Sequence, residues 1–97
     1  MAGEVALITG GSRGIGRAVA ISMAKLGRDV IINYSGNEEA ANEVAEECMK
    51  NGVKAVIVQG NVASEDDCQR ILDVAMDTFG RIDVLVNNAG ITKDNLM

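Results

Sequence analysis

Two hydrophobic periodicities alternate along the 97 residues, and that alternation restricts the possible folds more than any other feature. Short apolar runs fall at Glu4–Thr9, Asp29–Tyr34, Val53–Val58 and Ile82–Val86. Between them, apolar residues recur at helical spacing. The first stripe is Ile15, Val19, Met23 and Leu26; the second is Ala41, Val44, Ala45 and Cys48. The third is Cys68, Ile71, Leu72, Ala75 and Phe79. Continuous runs suit strands covered on both faces, and stripes suit helices that bury one side. With short links and no proline, the pattern predicts a βαβαβαβ order and a parallel sheet. Asn37 and Ser64 stand where N-caps are needed, and Gly27, Asn51-Gly52 and Gly80 stand where helices stop. Glu39, Glu43, Glu46 and Lys50 form the solvated outer side of the second helix.

Composition removes several chemistries. The chain has no histidine, so Ser-His-Asp hydrolysis, Cys-His proteolysis and His-based zinc sites cannot be assembled from it alone. Cys48 and Cys68 lack a Cys-x-x-Cys spacing and are expected as reduced core thiols. Nine Lys and Arg against fourteen Asp and Glu give −5, the wrong sign for a duplex-binding surface. Residues 1–30 nevertheless carry Arg13, Arg17, Lys25 and Arg28 against Glu4 and Asp29, a local +2. That suits a small anionic ligand better than a polymer. Without a leader-like start or a run long enough to span a membrane, the expectation is a cytoplasmic chain that binds neither nucleic acid nor membrane.

Thr9-Gly10-Gly11-Ser12-Arg13-Gly14-Ile15-Gly16 joins the first strand to the first helix. Gly10 permits a tight turn, Gly14 a close approach of backbone to pyrophosphate, and Gly16 close helix–sheet packing. The N–H groups of Gly14, Ile15 and Gly16 at the helix start would then face phosphate. The spacing G-x-x-x-G-x-G is one residue longer in its first gap than G-x-G-x-x-G. Gly11 and Gly16 also have P-loop spacing, but Arg17-Ala18 replaces the Lys and the Mg²⁺-binding hydroxyl. The bland alternative is a sharp βα corner.

Thr9–Gly16 resembles the T-G-x-x-x-G-x-G signature of the short-chain dehydrogenases/reductases, and Asn87-Asn88-Ala89-Gly90 is similar to that family's second signature. Within the family, Gly10–Arg17 and the tail Ile91-Thr92-Lys93-Asp94-Asn95-Leu96 resemble the bacterial 3-oxoacyl-acyl-carrier-protein reductases. The resemblance runs through the chain yet reaches under half of a family member. It implies an α/β Rossmann-type half-sheet of strand order 3-2-1-4, residues 1–97 being the NADP-binding half with the catalytic half absent. Only eleven residues follow Val86, too few for the next strand and its crossover helix.

Dinucleotide folds choose between cofactors at the end of strand two, where an acid repels a 2′-phosphate. Here Asn33-Tyr34-Ser35 occupies that place, with no acid before Glu38. Arg13, with Asn33 and Ser35 as neutral donors, points to NADPH, though Arg13 alone could be a solvated loop charge. The resemblance further implies that Asn61-Val62 lies along the adenine, with the Asn61 amide reading its amino group. It places Asn87, Ala89 and Gly90 beneath the nicotinamide-side ribose, Asn87 also bonding across the central strands. Loop Ser12 and Ile15 complete the expected cofactor contacts. A structural role stays open for each of these runs.

The family's Tyr-x-x-x-Lys acid is not in this chain: the sole tyrosine is Tyr34, followed four residues on by Glu38. The expected function is therefore cofactor binding within an NADPH-dependent reductase of β-ketoacyl thioesters, with no catalytic residue and no turnover by this chain itself. Two alternatives stand beside it. One is a non-catalytic nucleotide-binding module that self-associates through an open sheet edge. The other is the same half of a reductase for acetoacetyl-CoA, a sugar or a steroid.

Overall fold

The computed structural model describes residues 3–12 and 14–88. The elements are β1 (Val5–Thr9), α1 (Gly14–Lys25), β2 (Asp29–Tyr34), α2 (Glu38–Met49), β3 (Ala55–Gln59), α3 (Glu65–Phe79) and β4 (Val84–Asn87). The strands form one parallel sheet in the order β3-β2-β1-β4, as predicted. Register places Ile31 beside both Leu7 and Val56, and Leu7 beside Leu85. Registered residues point to one face, so these four share a side of the sheet.

Leu7 and Ile31 pack with Val5, Val58, Ile71 and Ala75 beneath α3. Their neighbours Ala6, Ile8, Val30 and Ile32 pack on the opposite side with Ala20 and Ala24 of α1 and Ala41, Val44 and Cys48 of α2. A four-stranded sheet is about 19 Å wide and a helix about 10 Å across, so each face accommodates two helices. One face has α1 and α2. Among the described residues the other has α3 alone, and Leu85 on that side is 61% exposed.

The helix ends follow local chemistry. Asn37 Oδ1 accepts from Ala40 N–H and Ser64 Oγ accepts from Asp67 N–H, each filling a donor that the first helical turn leaves unpaired. Gly80 closes α3 in the left-handed region at φ 76°, with its N–H on the Met76 carbonyl. No helix among the described residues is long and apolar enough to cross a membrane.

Three expectations need correction. In α1 the fully buried row is Gly16, Ala20 and Ala24, whereas Ile15 and Leu26 are 70% and 52% exposed. A Cβ on Gly16 would run into the Gly10 carbonyl oxygen; the helix lies too near the sheet for large side chains on its inner line, and Val19 and Met23 pack beside that line. In α3, Ile71 and Ala75 are buried while Leu72 is 40% exposed, because no described element covers its side. The outer strands also start later than their apolar runs. Lys54 N–H goes to Asp29 Oδ1 and Val5 N–H to Asp83 Oδ2, so aspartates occupy the ladder positions at both entrances.

Candidate nucleotide-binding site

Parallel strands in this order leave a crevice at their carboxyl ends, where the chain after β1 and β2 departs to one side and after β3 to the other. A cavity of 170 Å³ lies there, lined by Gly10, Asn33, Ser35, Gly60, Asn61 and Val62. Three strand exits therefore supply its walls. None of these lining residues is charged.

The first wall is the glycine loop. Gly10 and Gly14 both adopt left-handed backbone, at φ 63° and 62°, a conformation that a Cβ would strain. Space opposite the Gly14 Cα is open, with nothing within 4 Å of a hypothetical Cβ. Gly16 is the opposite case: a Cβ there would also come 2.7 Å from Asn88 Nδ2. The helix start carries no acidic residue in its first turn, unlike those of α2 and α3. Its positive dipole end and first N–H groups are thus uncompensated by carboxylate and suit an anion.

Asparagines fix this loop. Gly10 N–H donates to Asn33 Oδ1 at 3.2 Å, and Asn88 Nδ2 donates to the Gly10 carbonyl at 3.0 Å. Gly11 N–H adds a backbone bond to the Asn33 carbonyl. Behind the loop, the buried Thr9 hydroxyl lies 3.1 Å from Asn87 Oδ1 and 3.3 Å from the Val86 carbonyl, which ties β1 to β4.

Asn33 itself is 2% exposed. Its Nδ2 lies 3.1 Å from the Gly60 carbonyl and 3.3 Å from that of Val58. Both ends of the amide are committed within the protein, so the expectation that Asn33 offers a neutral donor to a phosphate is corrected: no free N–H remains. The outward-facing group at this corner is Ser35, exposed on the cavity rim, with its carbonyl held by Gln59 Nε2 at 3.0 Å.

The third wall is the β3 exit. Asn61 Oδ1 accepts from Ala63 N–H at 2.9 Å, and Asn61 N–H donates to Asp67 Oδ2 at 2.8 Å. One lone pair of that amide oxygen is therefore occupied by the turn, and reading an adenine amino group falls to the other. Asp67, from the first turn of α3, has its carboxyl held below its ordinary value by the Asn61 N–H it accepts and by the nearby Arg70.

Of the expected contacts, Gly10, Asn33, Ser35, Asn61 and Val62 meet at the cavity. Gly14 and Ile15 are exposed where α1 begins, Ser12 is half-buried, and Gly16 is packed beneath Gly10. Arg13, Ala89 and Gly90 lie outside the described residues. Gly60 and Asn88 were not among the expected contacts. The signal for Asn88 was its place in the Asn87–Gly90 run, but sequence alone does not say which of two adjacent asparagines turns toward Gly10.

Sheet order, glycine loop and crevice define a Rossmann-type fold. The family model for short chain dehydrogenase matches residues 4–97, and the chain belongs to that family. It is 49% identical over 94 residues to the 3-oxoacyl-[acyl-carrier-protein] reductase of Synechocystis sp., covering 97% of this chain and 38% of that protein. It is 48% identical over 92 residues to the reductase of the same name, FabG, from Staphylococcus epidermidis, with 95% and 38% covered. Among solved structures, acetoin dehydrogenase YohF of Salmonella typhimurium superposes with a TM-score of 0.84 at 32% identity, over 93% of this chain and 37% of that one. An NAD+-bound xylitol dehydrogenase superposes at 0.86 and 33%, over 93% and 34%. The chain thus spans under two fifths of the length of these relatives.

Proposed function

We propose that the chain is the cofactor-binding, N-terminal part of an NADPH-dependent 3-oxoacyl-acyl-carrier-protein reductase. The observation that carries this reading is the pinned Gly10 residue beside an acid-free helix start, with a neutral cavity running from it to the β3 exit. A dinucleotide needs a diphosphate seat and an adenosine seat side by side, and these two walls offer both. On this reading the loop and the first N–H groups of α1 take the diphosphate. Asn61 and Val62 flank the adenine, and Asn87, with Ala89 and Gly90, underlies the nicotinamide-side ribose.

The rim favours NADPH. Asn33-Tyr34-Ser35 occupies the stretch where an NAD-selective site places a carboxylate, Ser35 being its exposed member, and the first acid, Glu38, begins α2. A 2′-phosphate therefore meets no charge repulsion at the β2 end. In the complete protein the nicotinamide supplies hydride to the β-keto group of an acyl thioester. This chain supplies no acid to accompany it: Tyr34 is 8% exposed and packed in the core on the α1–α2 side.

Titration of the chain with NADPH and NADH tests the reading. Saturable binding is expected, tighter for NADPH by about tenfold or more, a difference of about 1.4 kcal/mol. Equal affinities would remove the 2′-phosphate argument, and no saturable binding would remove the cofactor site. Acetoacetyl thioester with NADPH should show no turnover above background.

A second reading is favoured by β4, which among the described residues is an outer strand with Leu85 exposed. Without turnover, a nucleotide-binding module can associate with a second copy through that open edge. Light scattering after size exclusion should then show a dimer or larger assembly.

A further inference from the structure

Among the described residues, the Asn33 side chain is where the first and third walls of the cavity meet a common group. Gly10 belongs to the glycine loop and Gly60 to the β3 exit; each lines the cavity, and each is bonded to a different end of the Asn33 amide. The neighbours settle the amide's orientation. Two carbonyl oxygens, of Val58 and Gly60, face one end and demand a donor, while the Gly10 N–H faces the other and demands an acceptor. All the expected donors and acceptors within reach are satisfied, and the residue is buried.

The backbone connects the two walls only by way of β2. The glycine loop and the β3 exit come from strands separated by β2 in the sheet, so they share no ladder. Their main-chain links run separately to β2, from Gly11 N–H to the Asn33 carbonyl and from Gly60 N–H to the Tyr34 carbonyl. Only the Asn33 side chain joins them directly among the hydrogen bonds of the described residues. A shift of about 1 Å between groups that hold two ends of one ligand is enough to lose much of the benefit of holding both.

We propose that Asn33 is a positioning residue that sets the separation of the glycine loop from the β3 exit, and through it the fit of a ligand spanning diphosphate and adenosine. It acts through Gly10 and Gly60 and does not touch the ligand. This rests on the cofactor reading above for the ligand's identity, but its mechanical part does not.

The informative substitution is Asn33→Asp. A carboxylate still accepts from Gly10 N–H but turns an oxygen toward the carbonyls of Val58 and Gly60, so the first wall stays and the third is repelled. Burial and those two carbonyls favour the protonated acid. A protonated carboxyl is isosteric with the amide, accepts from Gly10, donates to one carbonyl, and so restores the bridge. Other charges near this corner are Asp67, which holds Asn61, and Arg70 beside Gly60; neither contacts the amide.

Amide hydrogen exchange is measured on the unmodified chain, Asn33→Asp and Asn33→Ala, without ligand. At neutral pH, Gly60 and Asn61 N–H are expected to exchange about tenfold faster in both variants, with Ile8 and Ile31 unchanged. Gly10 N–H should lose protection only in Asn33→Ala. At about pH 5, Asn33→Asp should approach the unmodified chain measured at the same pH. NADPH titrations should follow, with affinity about tenfold weaker in Asn33→Asp at neutral pH and recovering in acid. If Asn33→Ala does not fold, the acid recovery of Asn33→Asp decides; an Asn33→Asp chain that is unfolded at neutral pH and folded at about pH 5 counts the same way. Unchanged exchange at Gly60 and Asn61, or a defect indifferent to pH, overturns the proposal. Failure of the unmodified chain to bind NADPH overturns the cofactor reading instead, with the exchange data still judging Asn33.

Discussion

Asn33 and Asn88 hold the same residue through its two successive peptide units: one amide accepts the Gly10 N–H at 3.2 Å, the other donates to the Gly10 carbonyl at 3.0 Å. Asn33 is the penultimate residue of β2 and Asn88 follows β4, the strands on either side of β1. The left-handed turn that launches the glycine loop is thereby fixed at both of its polar groups, and Gly16 can tuck beneath it.

Gly16→Ala tests that tuck. The new methyl would collide with the Gly10 carbonyl and come 2.7 Å from Asn88 Nδ2. Backbone cannot move aside as a side-chain tip can, so the substitution should destabilise the fold by about 1–3 kcal/mol. For a domain of this size each kcal/mol corresponds to a fall in Tm of about 4–8 °C. Calorimetry showing an unchanged Tm would mean α1 lies farther from β1 than described.

Asn88→Ala removes a donor and leaves the Gly10 carbonyl seeking water. The loss should be about 1 kcal/mol, within the range of a partly buried neutral hydrogen bond. Combined with Gly16→Ala the two losses should fall short of additive, since the first substitution clears one of the atoms with which the second collides. Denaturant melts of the two single variants and the double variant provide the cycle.

The parts of this arrangement that sequence foretold share a cause. The α2 inner face, Ala41, Val44, Ala45 and Cys48, is buried as its pattern required, because glutamates on the other side leave no ambiguity of phase. In α1 the hydrophobic stripe misled, since the inward line is chosen by the closeness of the Gly10 backbone, and small residues rather than large ones satisfy it. Sheet order and the glycine loop were legible through motif and alternation. The role of Asn33 was not: whether a strand-end amide faces ligand or protein depends on the register of β3 beside it, which no local pattern records.

Asp67 and Asp83 should govern the acid limb of stability. The Asn61 N–H that Asp67 accepts, and the Arg81 guanidinium beside Asp83 together with the Val5 N–H, hold both carboxyls below their ordinary 3.8 in the folded chain. A carboxyl depressed on folding contributes stability that is fully present above its unfolded value. That contribution is lost as pH falls through the lower folded one. Stability should therefore decline below 3.8, and Asp83→Asn together with Asp67→Asn should make the decline shallower. Urea midpoints from about pH 6 to about pH 2 would show it; identical acid limbs in the unmodified and doubly substituted chains would contradict it.

The two thiols should separate by rate. Burial, with Glu47 adjacent, pushes the Cys48 thiol up to about 11, and thiolate is the species that attacks a disulfide reagent. Cys68 is half-buried, its Sγ 3.1 Å from the Val62 carbonyl. With an aromatic disulfide at about pH 8, Cys68 should react in a first phase. Cys48 should follow only at the rate of opening of the α2 face. Two equal fast phases in the folded chain would place Cys48 nearer solvent than its full burial allows.

Leu85 offers the sharpest distinction between packing and association. At 61% exposure it contributes little to the core of a single chain, so Leu85→Lys should change monomer stability by no more than about 0.5 kcal/mol. Its consequence for an open edge is larger. A lysine on an outer strand must be desolvated before a second strand can pair there, which is how natural edges discourage pairing. If copies of this chain meet along β4, Leu85→Lys should shift the light-scattering mass toward the monomer at equal concentration. A reference substitution at the opposite outer strand, Val56→Lys on β3, would not serve as a neutral control, because Val56 packs against the cluster beneath α3. Lys54→Glu is the better comparison, being exposed at the entrance to β3, and should leave the mass unchanged. An equal shift from both variants would locate the contact away from β4.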